Sequence, residues 1–253
     1  MDLSDIVIVL CRTSEPGNAG AVCRAMKNMG LSRLRMAASG PLDEDTLLAR
    51  AVHAEDIWHE ALFFDTLAEA VADCSIVIGT TRRRGRKRKS VTMEPGTLAE
   101  WLKERDAAPA ALAFGNERTG LEDDELNLCN IASHIPVSES SPSLNLSHAV
   151  QIYAYEMFLA LSKADGKTAG KAAGPRSVKG EWVPVSRRMA DELTAEITES
   201  LADLGFYKKP GREEQTRFLR DLICRAGLGE KEGRYLRDII VKAARLGSMR
   251  NES

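Results

Sequence analysis

The chain has 253 residues, of which 43% are hydrophobic and 28% are charged, and its formal net charge is −2 at pH 7. This composition is ordinary for a soluble protein. The chain is long enough for one large domain or for a core domain and a smaller one. No run reaches the roughly 18 apolar residues of a membrane span. A slightly acidic chain has no overall attraction for nucleic acid, so an anionic partner must be bound by local positive patches.

The N-terminal sequence MDLSDIVIVL is acidic and continues directly into an apolar run. A secretory signal begins with positive charge and ends at a small-residue cleavage site, so we expect a cytoplasmic protein. The five cysteines and four histidines are dispersed along the chain, and no C-x-x-C pair occurs. We therefore expect no zinc site or other metal site and no disulfide framework.

Six short apolar runs predict strands at residues 6–10, 34–38, 62–64, 75–79, 110–114 and 131–137. Helical patterns lie at 20–29, 67–74 and 97–105, and a long one runs from 144 to about 163. Strands that alternate with helices predict an α/β domain with a mainly parallel sheet. In such sheets the functional loops lie beyond the carboxyl ends of the strands.

The composition changes after the long helix. Gly, Ala and Lys dominate the stretch ADGKTAGKAAGPRSVKG at 164–180, where no apolar periodicity remains. Three amphipathic patterns follow at 186–204, 213–226 and 230–246, with Ser186 as the predicted N-cap of the first. We predict a core domain at 1–163, a linker at 164–184 and a small helical extension at 185–253.

The stretch TRRRGRKRKS at 81–90 follows a predicted strand, and seven of the eight residues from Arg82 to Lys89 are Arg or Lys. Charge this dense is typical of a solvated loop or a localisation-like signal. Its place beyond the carboxyl end of a strand instead indicates the border of a site. Composition alone favours the first interpretation, so the surrounding sequence has to decide.

Three stretches combine glycine and polar residues beyond the needs of packing. The first, EPGNAGAVCRAMKNMG at 15–30, lacks the glycine spacing of a dinucleotide-binding turn. The second, AFGNERTGL at 113–121, contains Gly115, where a ligand could approach the backbone. The third, IPVSESSPSLNLSHAVQIYAYE at 135–156, leads through a serine-rich loop into the long helix, whose first N–H groups favour a polar ligand. Taken singly, the second and third are also consistent with an ordinary turn and an ordinary helix cap.

Together, the three stretches resemble the SpoU/TrmH family of RNA ribose 2′-O-methyltransferases, within the SPOUT class. The matching positions are Asn18, Gly20, Arg24 and Gly30, then Phe114, Gly115, Glu117, Gly120 and Leu121, then Ser143, Leu144, Asn145, Leu146, Ala149 and Val150. The resemblance covers about residues 5 to 163. The tail from Leu204 resembles the helical region of the TrmJ subgroup, which methylates the pyrimidine ribose at position 32 of the tRNA anticodon loop. Pro142 departs from that subgroup, in which a serine is expected, and proline stiffens the loop.

The resemblance implies a SPOUT fold with a trefoil knot, a homodimer in which the cofactor of one subunit lies near residues of the other, and S-adenosylmethionine (SAM) as the cofactor. The implied cofactor contacts are Thr80, Thr81, Arg82, Gly115, Ile135, Pro142, Ser143 and Leu144. Arg24 is the implied essential arginine, and we expect it to grip the phosphate beside the target ribose. Asn18 and Asn145 would support that geometry, and Glu117 would orient Arg24 or the substrate.

The resemblance also decides between the two interpretations of the basic stretch. Because Thr80 and Thr81 match a cofactor-contacting turn, the stretch lies beside the methyl donor and is predicted to be an RNA clamp. The predicted RNA-binding residues are Arg83, Arg84, Arg86, Lys87, Arg88 and Arg118, with Lys208, Lys209 and Arg212 as an extension.

The sequence therefore predicts a SAM-dependent tRNA ribose 2′-O-methyltransferase. The same chemistry on ribosomal RNA is the first alternative. A non-catalytic RNA-binding protein is the second, and the intact Asn18, Arg24, Glu117 and Asn145 argue against it.

Overall fold

The computed structural model describes residues 1–82, 92–105, 108–140, 142–162, 183–207 and 211–251. The chain divides into two compact units, Met1–Gly166 and Lys167–Ser253. Apart from Val183 and Pro184, the predicted linker lies outside the described residues, so the predicted domain limits stay a prediction. None of the described helices is long and apolar enough to cross a membrane.

Within the described residues, the first unit is built on seven parallel strands in the order β3-β2-β1-β6-β4-β7-β5. The strands are β1 (Ile6–Cys11), β2 (Arg33–Ala37), β3 (Leu62–Phe64), β4 (Ile76–Thr80), β5 (Thr92–Met93), β6 (Ala110–Phe114) and β7 (Ile131–Ser133). All residues of the central strands β1 and β6 are buried, as expected for a parallel sheet that is covered on both faces. The prediction of a mainly parallel α/β sheet is confirmed, whereas the trefoil knot stays a prediction.

All six predicted strands are present: two match at both ends, and three have ends shifted by one residue. The strand predicted at 131–137 is wrong in its length, because it ends at Ser133. Pro136 follows closely and has no N–H to donate to a neighbouring strand. β5 was not predicted, since a two-residue strand has no periodicity to detect.

The helices of the first unit are α1 (Pro16–Asn28), α2 (Glu44–Ala51), α3 (Glu55–His59), α4 (Leu67–Ala70), α5 (Pro95–Arg105), α6 (Asp123–Leu128) and α7 (Leu146–Leu161). The helices α1, α4, α5 and α7 correspond to predicted patterns, whereas α2, α3 and α6 were missed. Only Leu47 and Ala51 of α2 are buried, and two positions give too weak a pattern for a helix to be recognised.

The second unit consists of α8 (Arg187–Asp203), α9 (Arg212–Ala226) and α10 (Glu230–Asn251). The helix α8 packs against both others. The predicted N-cap is confirmed, because the Ser186 side chain accepts a hydrogen bond from the Met189 amide at 3.2 Å. The unit is therefore a small helical appendage, as the amphipathic patterns predict.

The packing of α1 brings two of the sequence motifs together. Gly20 of α1 touches α2 so closely that a Cβ atom there would lie 2.0 Å from the Leu47 carbonyl oxygen. α1 also packs against α7, whose first turn carries the third motif. The two motifs thus meet beside the carboxyl ends of β1 and β6.

Candidate active site

An open cleft, here called the main cleft, lies beyond the carboxyl ends of β4, β6 and β7. All eight residues predicted to contact the cofactor line it, namely Thr80, Thr81, Arg82, Gly115, Ile135, Pro142, Ser143 and Leu144. Glu117 and Arg118 line the same cleft. Loops that are far apart in sequence therefore converge at the edge where parallel sheets place their ligands.

The apolar side of the main cleft includes an aromatic pair. Phe114 and Tyr153 meet edge to face with ring centroids 5.5 Å apart. The Tyr153 hydroxyl donates to Ser133 Oγ at 2.9 Å, and Ser133 Oγ donates to the Met93 carbonyl at 2.7 Å. Burial raises the pKa of the Tyr153 phenol far above its usual range, so this hydroxyl stays neutral.

The loop after β6 presents its backbone to the main cleft. A Cβ at Gly115 would lie 2.0 Å from the Gly120 carbonyl carbon and from the Leu121 nitrogen, so no other residue fits there without displacing the loop. The Gly120 amide donates to the Asn116 carbonyl at 2.8 Å, and Gly120 has a φ of +72°. Glycine is required at both ends of this turn: Gly115 leaves room for the backbone, and Gly120 adopts a positive φ.

Three of the four predicted catalytic residues form a continuous chain of hydrogen bonds. Asn18 Nδ2 donates to Glu117 Oε1 at 3.3 Å, and Asn145 Nδ2 donates to Asn18 Oδ1 at 2.9 Å. Asn145 Oδ1 in turn accepts from the Ser147 amide at 2.9 Å and from the Ser147 hydroxyl at 2.7 Å. The three motifs thus meet side chain to side chain.

This chain of hydrogen bonds connects two clefts. Glu117 lines the main cleft, whereas Asn18 and Asn145 line a neighbouring cleft, here called the side cleft. The remaining residues of the side cleft are Glu15, Gly17, Ala21, Arg50, Ser147 and His148. A ligand that spans the two clefts would therefore meet an unbroken row of amide and carboxylate groups.

Arg24 is the predicted catalytic residue that the structure does not join to this row. Its side chain is exposed on α1, and it makes no hydrogen bond or salt bridge with any other described residue. Glu117 accepts instead from Asn18 and, at 3.4 Å, from the Ser14 amide. Arg24 is thus a cation available to an external anion, outside the lining of both clefts.

The other predicted RNA-binding residues are distributed unevenly. Arg118 is exposed at the main cleft, and Arg212 is exposed at the first turn of α9. The residues Arg83, Arg84, Arg86, Lys87, Arg88, Lys208 and Lys209 lie outside the described part of the chain. Their role stays a prediction from the sequence.

The cysteines take no part in this site. All five are buried free thiols, and burial raises the pKa of Cys23 and of Cys74 to about 12. A buried thiol with such a pKa is a poor nucleophile. The described residues contain no group of three or more His, Cys, Asp and Glu side chains that could hold a metal ion.

Sequence reasoning missed Arg12, which directly follows β1 and lies next to the first motif. Its guanidinium contacts the loop after β6 and the first turn of α6. The available signal was an arginine at the carboxyl end of a buried strand, a position that parallel sheets use for function.

A parallel α/β fold with these three loops at its carboxyl edge defines an enzyme of the RNA methyltransferase class. Residues 5–155 match the SpoU rRNA Methylase family, and the chain belongs to that family. TrmJ of Pseudomonas aeruginosa (strain UCBPP-PA14), a tRNA (cytidine/uridine/adenosine-2′-O-)-methyltransferase, is 36% identical over 237 residues, covering 91% of this chain and 90% of the relative. The resemblance predicted from the sequence is confirmed.

Solved structures agree with this assignment. The crystal structure of TrmJ from Z. mobilis ZM4 matches with a TM-score of 0.72 at 29% identity, covering 94% of this chain and 98% of that chain. A probable methylase family protein from Haemophilus influenzae Rd KW20 matches with a TM-score of 0.61 at 32% identity, covering 99% of this chain and 98% of that chain. The similarity therefore includes the helical second unit as well as the sheet.

Proposed function

We propose that the protein is a SAM-dependent tRNA ribose 2′-O-methyltransferase that acts on the pyrimidine at position 32 of the anticodon loop. The observation that carries this proposal is the hydrogen-bonded row Glu117–Asn18–Asn145 beside the main cleft. The relative from Pseudomonas aeruginosa, a tRNA 2′-O-methyltransferase, supports tRNA as the substrate.

The residues of the main cleft fit SAM as the cofactor. Gly115 and Gly120 line the main cleft and carry no side chains, so the loop offers bare peptide groups to a ligand there. Phe114, Leu144 and Leu146 give the cleft apolar surface beside these polar groups. When bound, SAM supplies the methyl group that passes from its sulfonium sulfur to the ribose oxygen.

Methyl transfer to a ribose hydroxyl requires that the oxygen is held in line and at near-attack distance. Asn18 and Asn145 fix each other through a 2.9 Å hydrogen bond, and Glu117 anchors Asn18 from the main cleft. These groups hold the ribose. Arg24 binds the neighbouring phosphate and stabilises negative charge that develops on the ribose oxygen. Arg24 is not the general base, because a guanidinium group stays protonated in proteins. The hydroxyl proton passes to water as the oxygen–methyl bond forms, and S-adenosylhomocysteine leaves.

The partners follow from this assignment. The basic stretch at 81–90 and Arg118 bind tRNA phosphates beside the main cleft. The protein is a homodimer in which Arg24 of one subunit serves the main cleft of the other. A tRNA-modifying enzyme works where tRNA is, so we place the protein in the cytoplasm.

The test is methyl transfer from tritium-labelled SAM to RNA from a strain that lacks the gene. We expect incorporation into tRNA and none into ribosomal RNA, with the product mapped to the ribose at position 32. A tRNA with a single 2′-deoxynucleotide at that position should accept no methyl group, whereas base methylation would be unaffected by this change. Incorporation into ribosomal RNA alone would contradict the tRNA assignment, and SAM binding without any incorporation would indicate a non-catalytic RNA-binding protein.

A further inference from the structure

Arg12 occupies a strained position at the carboxyl end of β1. Its φ is +54°, in the left-handed region that side-chain-bearing residues rarely adopt. The Arg12 amide continues the sheet by donating to the Ala37 carbonyl at 2.8 Å. Strain of this kind persists only where the surrounding contacts maintain it, and it is concentrated at functional sites.

The guanidinium of Arg12 grips the first turn of α6. Nε donates to Glu125 Oε1 at 2.9 Å and Nη2 donates to Glu125 Oε2 at 2.7 Å, which is a bidentate pair. Nη1 lies 3.0 Å from Glu122 Oε1. Glu125 is 8% exposed, so removing Arg12 would leave its carboxylate buried without this counter-ion.

The same residue holds both ends of the loop at 116–120. Arg12 Nη2 donates to the Gly120 carbonyl at 2.9 Å, and Nη1 donates to Thr119 Oγ1 at 3.3 Å. At the other end of the loop, Asn116 Nδ2 donates to the Arg12 carbonyl at 2.7 Å. Since Arg12 holds the loop at both ends, the loop backbone is kept in the shape that lines the main cleft.

We propose that Arg12 is a positioning residue that shapes the loop at 116–120 for cofactor binding, without touching the cofactor itself. The inference rests on the proposed use of the main cleft by SAM. If this is so, a substitution of Arg12 should affect the KM for SAM and kcat differently. Loss of the guanidinium should weaken SAM binding and raise the KM for SAM, and it should change kcat little, because no reacting group is removed.

The dihedral angle of Arg12 provides a clean substitution. Glycine adopts a φ of +54° without strain, so Arg12→Gly removes the guanidinium while the backbone keeps its native conformation. Ala38 offers the matched control, because it follows β2 with a φ of +51° and its amide donates to the Phe64 carbonyl at 2.9 Å. Ala38→Gly makes the same backbone change on the neighbouring strand without removing a guanidinium.

Calorimetric titration with SAM should give a Kd raised about tenfold for Arg12→Gly, the effect of losing charge-assisted hydrogen bonds that fix the loop. Ala38→Gly should bind like the wild type. Guanidinium chloride at millimolar, non-denaturing concentration should restore part of the affinity of Arg12→Gly and leave the other proteins unchanged. A purely stabilising role would lower the melting temperature without this rescue.

Wild-type affinity in Arg12→Gly would overturn the inference. If that variant fails to fold, Arg12→Lys is the alternative, because a lysine keeps the charge but cannot pair with Glu125 and Gly120 together. Unchanged SAM affinity in Arg12→Lys would also overturn the inference. If the wild type itself binds no SAM, the proposed function fails instead. Amide hydrogen exchange at Gly120 and Leu121 without cofactor then tests Arg12 directly, since faster exchange in the variants supports the inference and unchanged exchange contradicts it.

Discussion

Asn145 performs two tasks with one side-chain amide. Its oxygen caps α7 by accepting from the Ser147 amide, and its nitrogen donates to Asn18 in the row that connects the two clefts. Because the two tasks use different atoms of one group, substitutions can separate helix stability from the contact with Asn18. The third motif therefore combines a helix cap with a contact to the first motif at a single position.

We predict that two substitutions of Asn145 both lower turnover but differ in their effect on stability. Asn145→Asp keeps an oxygen for the cap and suits the helix N-terminus, so its melting temperature should match the wild type while turnover falls, because an ionised carboxylate cannot donate to Asn18. Asn145→Ala should lose turnover and also about 1 kcal/mol of stability. Thermal unfolding beside the methyl-transfer assay measures both effects. Wild-type turnover in Asn145→Asp would remove the Asn145–Asn18 bond from the mechanism.

At the level of elements, two glycines of α1 that look alike in the sequence have different surroundings in the structure. A Cβ at Gly20 would lie 2.0 Å from the Leu47 carbonyl oxygen, whereas a Cβ at Gly17 would meet only Arg50 Cγ at 3.8 Å. The backbone carbonyl of Leu47 cannot move aside as the flexible side chain of Arg50 can. Gly20 is therefore needed for the close contact between α1 and α2.

Gly20→Ala should destabilise the protein by about 1–3 kcal/mol, the usual effect of overpacking, with unfolding followed in urea. Gly17→Ala is the matched control and should be neutral or stabilising by about 0.5–1 kcal/mol, because alanine is the better helix former. Equal stability of the two variants would contradict the close approach of α1 to α2.

A second contact between elements has a defined pH dependence. Arg35 of β2 is buried and pairs with Asp73 at 2.5 and 2.8 Å, and this hydrogen bonding holds the pKa of Asp73 below its usual value. A carboxyl group whose pKa is lowered by folding stabilises the fold above its unfolded pKa, about 3.9, and loses that effect as the pH falls through the folded pKa.

Asp73→Asn should therefore be less stable than the wild type at pH 7, and the difference should shrink as the pH falls below about 4. Urea unfolding of both proteins across this range measures the difference in free energy. A difference that stays constant down to pH 2 would show that the charge of Asp73 contributes nothing.

The strands and loops also show which parts of the fold and of the site can be predicted from the sequence. The buried runs of β1, β4 and β6 predict the sheet because hydrophobic patterning is local, and the resemblance to the SpoU/TrmH family implies which loops share the main cleft. The partners within the site were not predictable, since Asn18 and Glu117 meet across 99 positions of sequence. Arg12 was missed for the same reason, because its role depends on Glu125, which is 113 positions away.

For the whole molecule, the distribution of charge matters more than its sum. A net charge of −2 coexists with the basic stretch at 81–90. Replacing Arg83, Arg84, Arg86 and Lys87 with serine should weaken tRNA binding and flatten its salt dependence, with each lost phosphate contact reducing the log–log slope by about one. SAM affinity and the methylated nucleotide should stay the same. Filter binding at several salt concentrations tests this, and an unchanged slope would make the stretch a solvated loop.

α7 exposes Tyr155 and Phe158, which are 47% and 38% accessible, and such apolar side chains suit a partner surface. We expect a dimer in sedimentation at micromolar concentration. Arg24, unpaired among the described residues, would then serve the main cleft of the other subunit.

Mixed dimers test this arrangement. Arg24→Ala removes the phosphate grip, and Gly115→Ala forces a Cβ into the backbone at Gly120, so each homodimer should be inactive. After subunit exchange, a heterodimer contains one intact Arg24 facing one intact main cleft, and activity should return. A site contained within one subunit would give no activity, because neither chain then holds both parts. An active monomer would contradict the shared site outright, since no partner could supply Arg24.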